Sequence, residues 1–261
     1  MKRVFLFGLI AVLAVTGLWF HFRGTEKPDE AKVLTGHAMG TGWTLSWRGD
    51  APSDVGREVA LVLERWQQVM SQWRPGSDLS RFNRGEPATE DLKRVIRLAE
   101  AIREASGGAF DHEILESVHA AGYGPQGSGI DLSAIGKGFA VDRVAERLRQ
   151  LGVSEFIFEL GGDLVAGEGE WEVGIEHPDP GDRSIIRRVT LSKRALATSG
   201  NSYQPTHIID PKTGEPVERP PMTVSVMAGD CATADAWATA MFVLGPEFAD
   251  LPEGIEASWN R

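Results

Sequence analysis

The chain has 261 residues, 42% hydrophobic and 25% charged, an ordinary globular balance with enough apolar side chains for one large domain or two intertwined halves. A formal net charge of −10 argues against a nucleic-acid partner, which calls for a basic face. The one cysteine, Cys231, excludes an internal disulfide and a cysteine-built zinc site.

Lys2 and Arg3 precede an uncharged run over residues 4–20 that ends on Trp19 and Phe20. Its length lies between a signal-peptide core and a full span, and the aromatic pair sits where an interfacial belt would. No small-residue cleavage site follows, and no cysteine is available for a lipid. The expectation is a segment 1–22 acting as an uncleaved membrane anchor rather than a cleaved signal peptide. The positive flank then stays inside and the body is exported, on the periplasmic side of a bacterial inner membrane. Residues 23–32 read as a polar linker, and the folded body as 33–261.

Within the body, residues 37–47 read as a strand whose first half is a small-residue turn. A helix is predicted over 53–73 with Ser53 as its cap and Val55, Val59, Leu63, Trp66, Val69 and Trp73 on its apolar stripe. Residues 74–78 break it. A second helix is predicted over 89–106, stopped by Gly107 and Gly108. A third opens near Ala134 and buries Val141, Val144, Ala145, Leu148 and Leu151. Short strands follow at 156–160, 171–175, 185–191, 195–198, 207–209 and 223–227, and a last helix at 232–244. Helices first and strands after make an α+β pattern, not a βαβ alternation.

The most chemically loaded stretch is 131–142, where Asp131, Lys137 and Asp142 bracket Gly136 and Gly138. Glycines let a backbone approach a ligand, the lysine supplies positive charge, and the opening helix favours an anion such as phosphate. An ordinary glycine-flanked helix start fits the same residues about as well. Gly108-Ala109-Phe110-Asp111, Gly161-Gly162-Asp163, Ala197-Thr198-Ser199-Gly200 and the segment from His207 to Gly214 each add polar groups at a turn. Asp235 and Thr239 stand four apart on one helical face among apolar neighbours. A buried carboxylate there is costly unless it caps the helix or meets a hard cation such as Mg²⁺.

Taken together the segments resemble the ApbE family, the FAD:protein FMN transferases. The pieces that carry the resemblance are Met39-Gly40-Thr41, residues 71–83 around Trp73, Gly108 to Asp111, Asp131 to Asp142, Gly161-Gly162, Ala197 to Gly200, His207 to Gly214 and Ala234 to Ala240. They run in family order over about 35–246. The resemblance implies a two-subdomain α+β fold with mixed or antiparallel sheets and packed helices. It implies Mg²⁺-dependent transfer of FMN from FAD to a Thr or Ser of an acceptor protein, a membrane electron-transfer subunit, with release of AMP; Mn²⁺ suits the same oxygen ligands. By position, Met39, Trp73, Ala109, Phe110, Asp111, Asp131, Lys137 and Ile209 are implied to contact FAD. Ala134 through its carbonyl, Asp235 and Thr239 are implied to hold the cation. His207 is implied near the transferred phosphate; as the one group titrating in the right range it reads as the base, with Asp210 to orient it and Lys137 to neutralise charge. Two departures stand out: a tryptophan at position 73 where a tyrosine is common, and a shortened stretch between Gly124 and Asp131. An Mg²⁺-dependent FAD pyrophosphatase and an FAD-binding protein without turnover are the alternative readings.

Overall fold

The computed structural model describes residues 30–261. Residues 1–22, expected as a membrane anchor, and most of the expected linker lie outside the described residues. Folded structure opens with β1 (Lys32–Ala38) and β2 (Thr41–Trp47), an antiparallel hairpin. The two-residue loop, Met39-Gly40, has φ of 50° and 80°, the doubly left-handed turn whose twist matches the strands. What reads as one strand in the sequence is therefore two.

Three helices follow in quick succession: α1 (Val55–Met70), α2 (Asp78–Asn83) and α3 (Glu90–Ala105). Helix α1 ends earlier than its apolar stripe suggests, because Ser71 turns extended and releases Trp73 into a loop. Ser77 and Thr89 cap α2 and α3 by accepting the Ser80 and Leu92 amides. A short α4 (Leu115–Ala120) precedes α5 (Gly136–Gln150).

The strands β3 (Phe156–Leu160) and β4 (Asp163–Ala166) come next, then a hairpin of β5 (Trp171–Glu176) and β6 (Ile185–Leu191). Strands β7 (Ala195–Gly200) and β8 (Thr223–Ala228), helix α6 (Cys231–Leu244) and β9 (Glu256–Asn260) finish the chain. The residues 207–209, expected as a strand, keep only one bridge, from Ile209 to Pro216, within a tight turn.

Seven strands form one sheet in the order β1-β2-β3-β4-β7-β8-β9, and every pairing is antiparallel. Because β2 pairs with β3, the first hairpin joins the same sheet as the later strands. Ala31–Arg261 is accordingly one compact unit. Alternation assigns the two faces. Val165, Ala195, Ala197, Val224 and Val226 point toward the helices and the main core. Leu164, Ala166 and Leu196 point the other way, against Trp171, Ile175 and Leu191 of the β5–β6 hairpin. Helix α6 is apolar on nearly every face and is buried accordingly between α5 and the sheet.

Helices α5 and α6 touch at one point that fixes the site. A Cβ on Gly138 would lie 2.4 Å from the Cys231 carbonyl oxygen and 2.8 Å from the Asp235 Cβ, so only glycine permits the approach. Four residues on, the Asp142 carboxylate accepts the Cys231 and Ala232 amides at 2.8 and 2.9 Å, capping α6 from another helix. Asp230 caps it from its own chain by accepting the Thr233 amide.

Candidate active site

Two cavities of about 470 and 430 Å³ open beside the N-terminus of α5 and share Ser133 and Lys137. The first is lined by Met39, Gln67, Met70, Trp73, Leu132 and Gly136 and is mostly apolar. The second is more polar. Ala109, Asp111, Asp131, Ala134, His207, Ile209, Asp235 and Thr239 all line it.

Every residue expected at the site except Phe110 and Asp210 thus borders one cavity or the other. Phe110 is buried and stacks on His112, with ring centroids 6.5 Å apart, so its part is to shape the wall behind Ala109 and Asp111. Asp210 faces its own turn, accepting the Lys212 amide at 2.9 Å. It does not orient His207. That contact falls to the Gln204 carbonyl, 2.6 Å from His207 Nδ1. The three-residue spacing suggested a pair, but the chain reverses after Ile209 and turns the carboxylate inward on the loop.

Lys137 is not a free cation waiting for an anion. Its Nζ donates to Asp163 Oδ2, while about a third of the side chain stays exposed (33%). Burial works against the ammonium, but Asp163 and Asp235 outweigh it and hold its pKa above the ordinary lysine value. Burial likewise pushes the Asp163 carboxyl up, and the Asp235 charge adds to that push against the pull of Lys137. Two buried carboxylates face one ammonium, so ionisation of both would leave the cluster with surplus negative charge.

Asp235 is not the helix cap. Asp230 holds that position, and Asp235 is buried a turn later, accepting the Gly138 amide at 3.1 Å through Oδ2. Thr239 lies within 3.3 Å of Ser199 Oγ. Among the described residues no three His, Cys, Asp or Glu side chains cluster as a metal site. A cation here would depend on the Asp235 carboxylate, the Thr239 hydroxyl and the Ala134 carbonyl, an all-oxygen set that fits Mg²⁺ or Mn²⁺ and meets the surplus charge.

Asp131 is buried, and Ser133 donates to its Oδ1 from both amide and hydroxyl. Its Oδ2 has no partner within hydrogen-bond distance among the described residues, with the Gln72 side chain nearby. Burial raises its pKa and the Ser133 bonds pull it back. An orphaned buried acceptor on a cavity wall suits a ligand N–H or O–H. Asn83 fixes this wall from α2, donating to the Ile130 carbonyl at 2.8 Å and accepting the Ile130 amide at 3.0 Å. His207 is half-buried. Burial, with the Lys137 charge adding to it, lowers its pKa against the contrary effect of the Gln204 carbonyl. The imidazole is therefore neutral at pH 7, and the Tyr123 ring packs edge-on at 6.0 Å.

In the sequence Asp163 reads only as a turn residue, although an acid opening an apolar strand is a usable signal. Nothing in the sequence marked Tyr123, Tyr203 or Gln204, which approach His207 only through loop packing.

An antiparallel α+β fold with two neighbouring cavities that share Lys137 at a helix N-terminus is the architecture of the flavin transferases. The chain belongs to the ApbE family, whose model matches residues 39–129 and 125–258, two stretches that meet at the shortened segment. It is 30% identical to an FAD:protein FMN transferase of Klebsiella pneumoniae over 280 residues, covering 84% of this chain and 80% of that one. A Vibrio cholerae protein of the same name is 30% identical over 282 residues, covering 86% and 84%. The solved flavin transferase ApbE from Vibrio cholerae superposes with a TM-score of 0.76 at 26% identity, covering 89% of this chain and 98% of that one. The apo flavinyl transferase ApbE of Pseudomonas stutzeri gives 0.75 at 25% identity, covering 89% and 95%.

Proposed function

We propose that the chain is an FAD:protein FMN transferase: it moves FMN from FAD to a Ser or Thr hydroxyl of an acceptor protein and releases AMP. The observation that carries this reading is the pair of cavities meeting at Lys137, with His207 and the oxygen donors Ala134, Asp235 and Thr239 on one wall. FAD is two ring systems joined by a pyrophosphate, and the two lobes match that shape. Met39, Met70 and Trp73 offer apolar and aromatic surface to a ring, while Asp131 offers an acceptor to a ring or ribose donor.

The chemistry follows from what each side chain can do. The acceptor oxygen bonds to the FMN phosphorus, the P–O bond to the bridging oxygen breaks, and AMP leaves with that oxygen. Neutral His207 takes the hydroxyl proton, its ring set by the Gln204 carbonyl and the Tyr123 edge. Lys137, held by Asp163, presents its ammonium toward the diphosphate. A bound Mg²⁺ at Asp235, Thr239 and Ala134 would supply charge neutralisation for the phosphates.

The test is to incubate the folded body with FAD, Mg²⁺ and candidate acceptors, then measure AMP and the acceptor mass. AMP with a flavin mass gained supports transfer; AMP with free FMN means water is the acceptor; no AMP means storage without turnover. We further propose that residues 1–22 anchor the body on the extracytoplasmic side of the inner membrane. The charge and length of the segment support this. Recovery of a soluble mature protein lacking those residues would replace the anchor with a cleaved signal. The acceptor would then be a membrane electron-transfer subunit facing the same compartment.

A further inference from the structure

We infer that the outer face of the β5–β6 hairpin, with Tyr203, is the shelf on which the acceptor protein lies. The occupant is an extended segment with aliphatic or aromatic side chains next to the modified Ser or Thr. This rests on the transfer reading above.

Most large apolar side chains among the described residues are buried. Tyr203, Ile185 and Ile186 are exceptions, exposed at 63%, 45% and 41%. In a regular strand Ile185 and Ile186 would point to opposite faces. Here the register slips between Ile175 and Glu176: Ile175 faces Arg187, Glu176 faces Ile185, and Ile186 has no partner. The extra residue turns both isoleucines to the outer face, with Gly174 and Glu176. Gly174 leaves room for this, since a Cβ there would lie 2.8 Å from Ile185 Cδ1. A bulge that exposes two isoleucines has a stability cost and no covering partner among the described residues.

The shelf is continuous with the site. Arg183, at the hairpin tip, donates to the Tyr203 hydroxyl at 3.3 Å and to Glu176 at 3.1 Å. Tyr203 in turn lines the cavity that holds His207. Four charges of the hairpin pair on it, Arg183 with Glu176 and Arg188 with Glu172, while Arg187 donates to Ser258 and Asn260 and Asp179 and Asp182 accept amides of the connecting turn. The two isoleucines therefore offer apolar contact between paired charges, and an acceptor chain that reaches His207 past Tyr203 would run toward them.

The probe is a library of immobilised short peptides, each with one central threonine, incubated with enzyme, FAD and Mg²⁺ and scored for flavin that survives denaturing washes. Wild type should enrich aliphatic or aromatic residues beside the threonine. The double variant Ile185→Asp/Ile186→Asp should label those peptides at least tenfold more slowly through a higher KM, with thermal midpoint and FAD affinity unchanged. Ile185→Ser/Ile186→Ser serves as a milder second variant. Equal labelling of the same peptides by wild type and both variants overturns the shelf while leaving the transferase reading intact. Loss of all labelling by wild type removes both. Sedimentation as a dimer that Ile185→Asp splits also overturns it, by giving the face to a second copy of the chain.

Discussion

Met39 occupies the first corner of a turn that suits asparagine, aspartate or glycine, with φ of 50°. A bulky side chain held left-handed costs on the order of 1 kcal/mol or more. The side chain borders the apolar cavity, which gives the strain a use. Met39→Asn should raise the unfolding free energy in urea by about 1 kcal/mol and weaken FAD binding in a fluorescence titration; a variant that binds FAD as tightly as wild type would show that the strain serves no ligand. His207 makes a second case. A half-buried, neutral imidazole can take a proton at pH 7, and removal of a general base costs about 10²–10⁴ in rate. His207→Ala should lose that much FMN transfer while retaining FAD. The wild-type rate should fall only as pH drops below the ordinary histidine range, about 6.5, because burial lowers the folded pKa. The same sign applies to stability: below about 6.5 the unfolded chain takes up the proton first, so the contribution of neutral His207 is lost as pH falls. An acid limb displaced above that range would contradict the assignment.

At the scale of elements, the junction of α5 and α6 is the part most sensitive to change. Gly138 reads in the sequence as an approach to a ligand, yet the structure brings it against the Cys231 carbonyl and Asp235. Gly138→Ala must push α6 away, a misfit that overpacking series put at about 1–3 kcal/mol, and must move Asp235 with it. A lowered thermal midpoint together with a weaker requirement-saturating Mg²⁺ response is expected; unchanged metal dependence would separate the packing from the site. Asp142 adds a pH signature. Burial raises its carboxyl pKa to about 6 despite the two amides it accepts. Between the ordinary carboxylate range and about 6 the native state keeps a proton the unfolded chain has lost, so this residue's contribution falls as pH rises through that window. Asp142→Asn should flatten that slope in denaturation curves taken at several pH values. The long periodic helices and the apolar strands are legible in the sequence because one face of each is buried. Helices α2 and α4 and strand β9 are not, because six residues or fewer carry too little periodicity, and tertiary contacts hold them.

At the scale of the molecule, the convergence of Met39 with Lys137 and Asp235 follows from one pairing. Strand β2 joins β3 in register from Trp43–Leu160 to Trp47–Phe156, carrying the Met39 turn to the cavity beside the α5 N-terminus. No local pattern announces a pairing across more than a hundred residues, so the motifs were visible singly and their meeting was not. The resemblance supplied the grouping, and the structure supplied its reason. Because the cavities touch the first hairpin, the α1–α2 loop, α5 and α6, ligand binding should stabilise the fold as a whole rather than one loop. A ligand at a hundredfold excess over its Kd adds about 2.7 kcal/mol. FAD with Mg²⁺ should therefore raise a single cooperative thermal midpoint, and a chelator should remove part of the rise. Asp235→Asn should abolish the chelator-sensitive part, since it deletes one of the two carboxylates that outnumber Lys137. If Mg²⁺ stabilises Asp235→Asn and wild type equally, the cation is held elsewhere and the surplus charge at this cluster has another purpose.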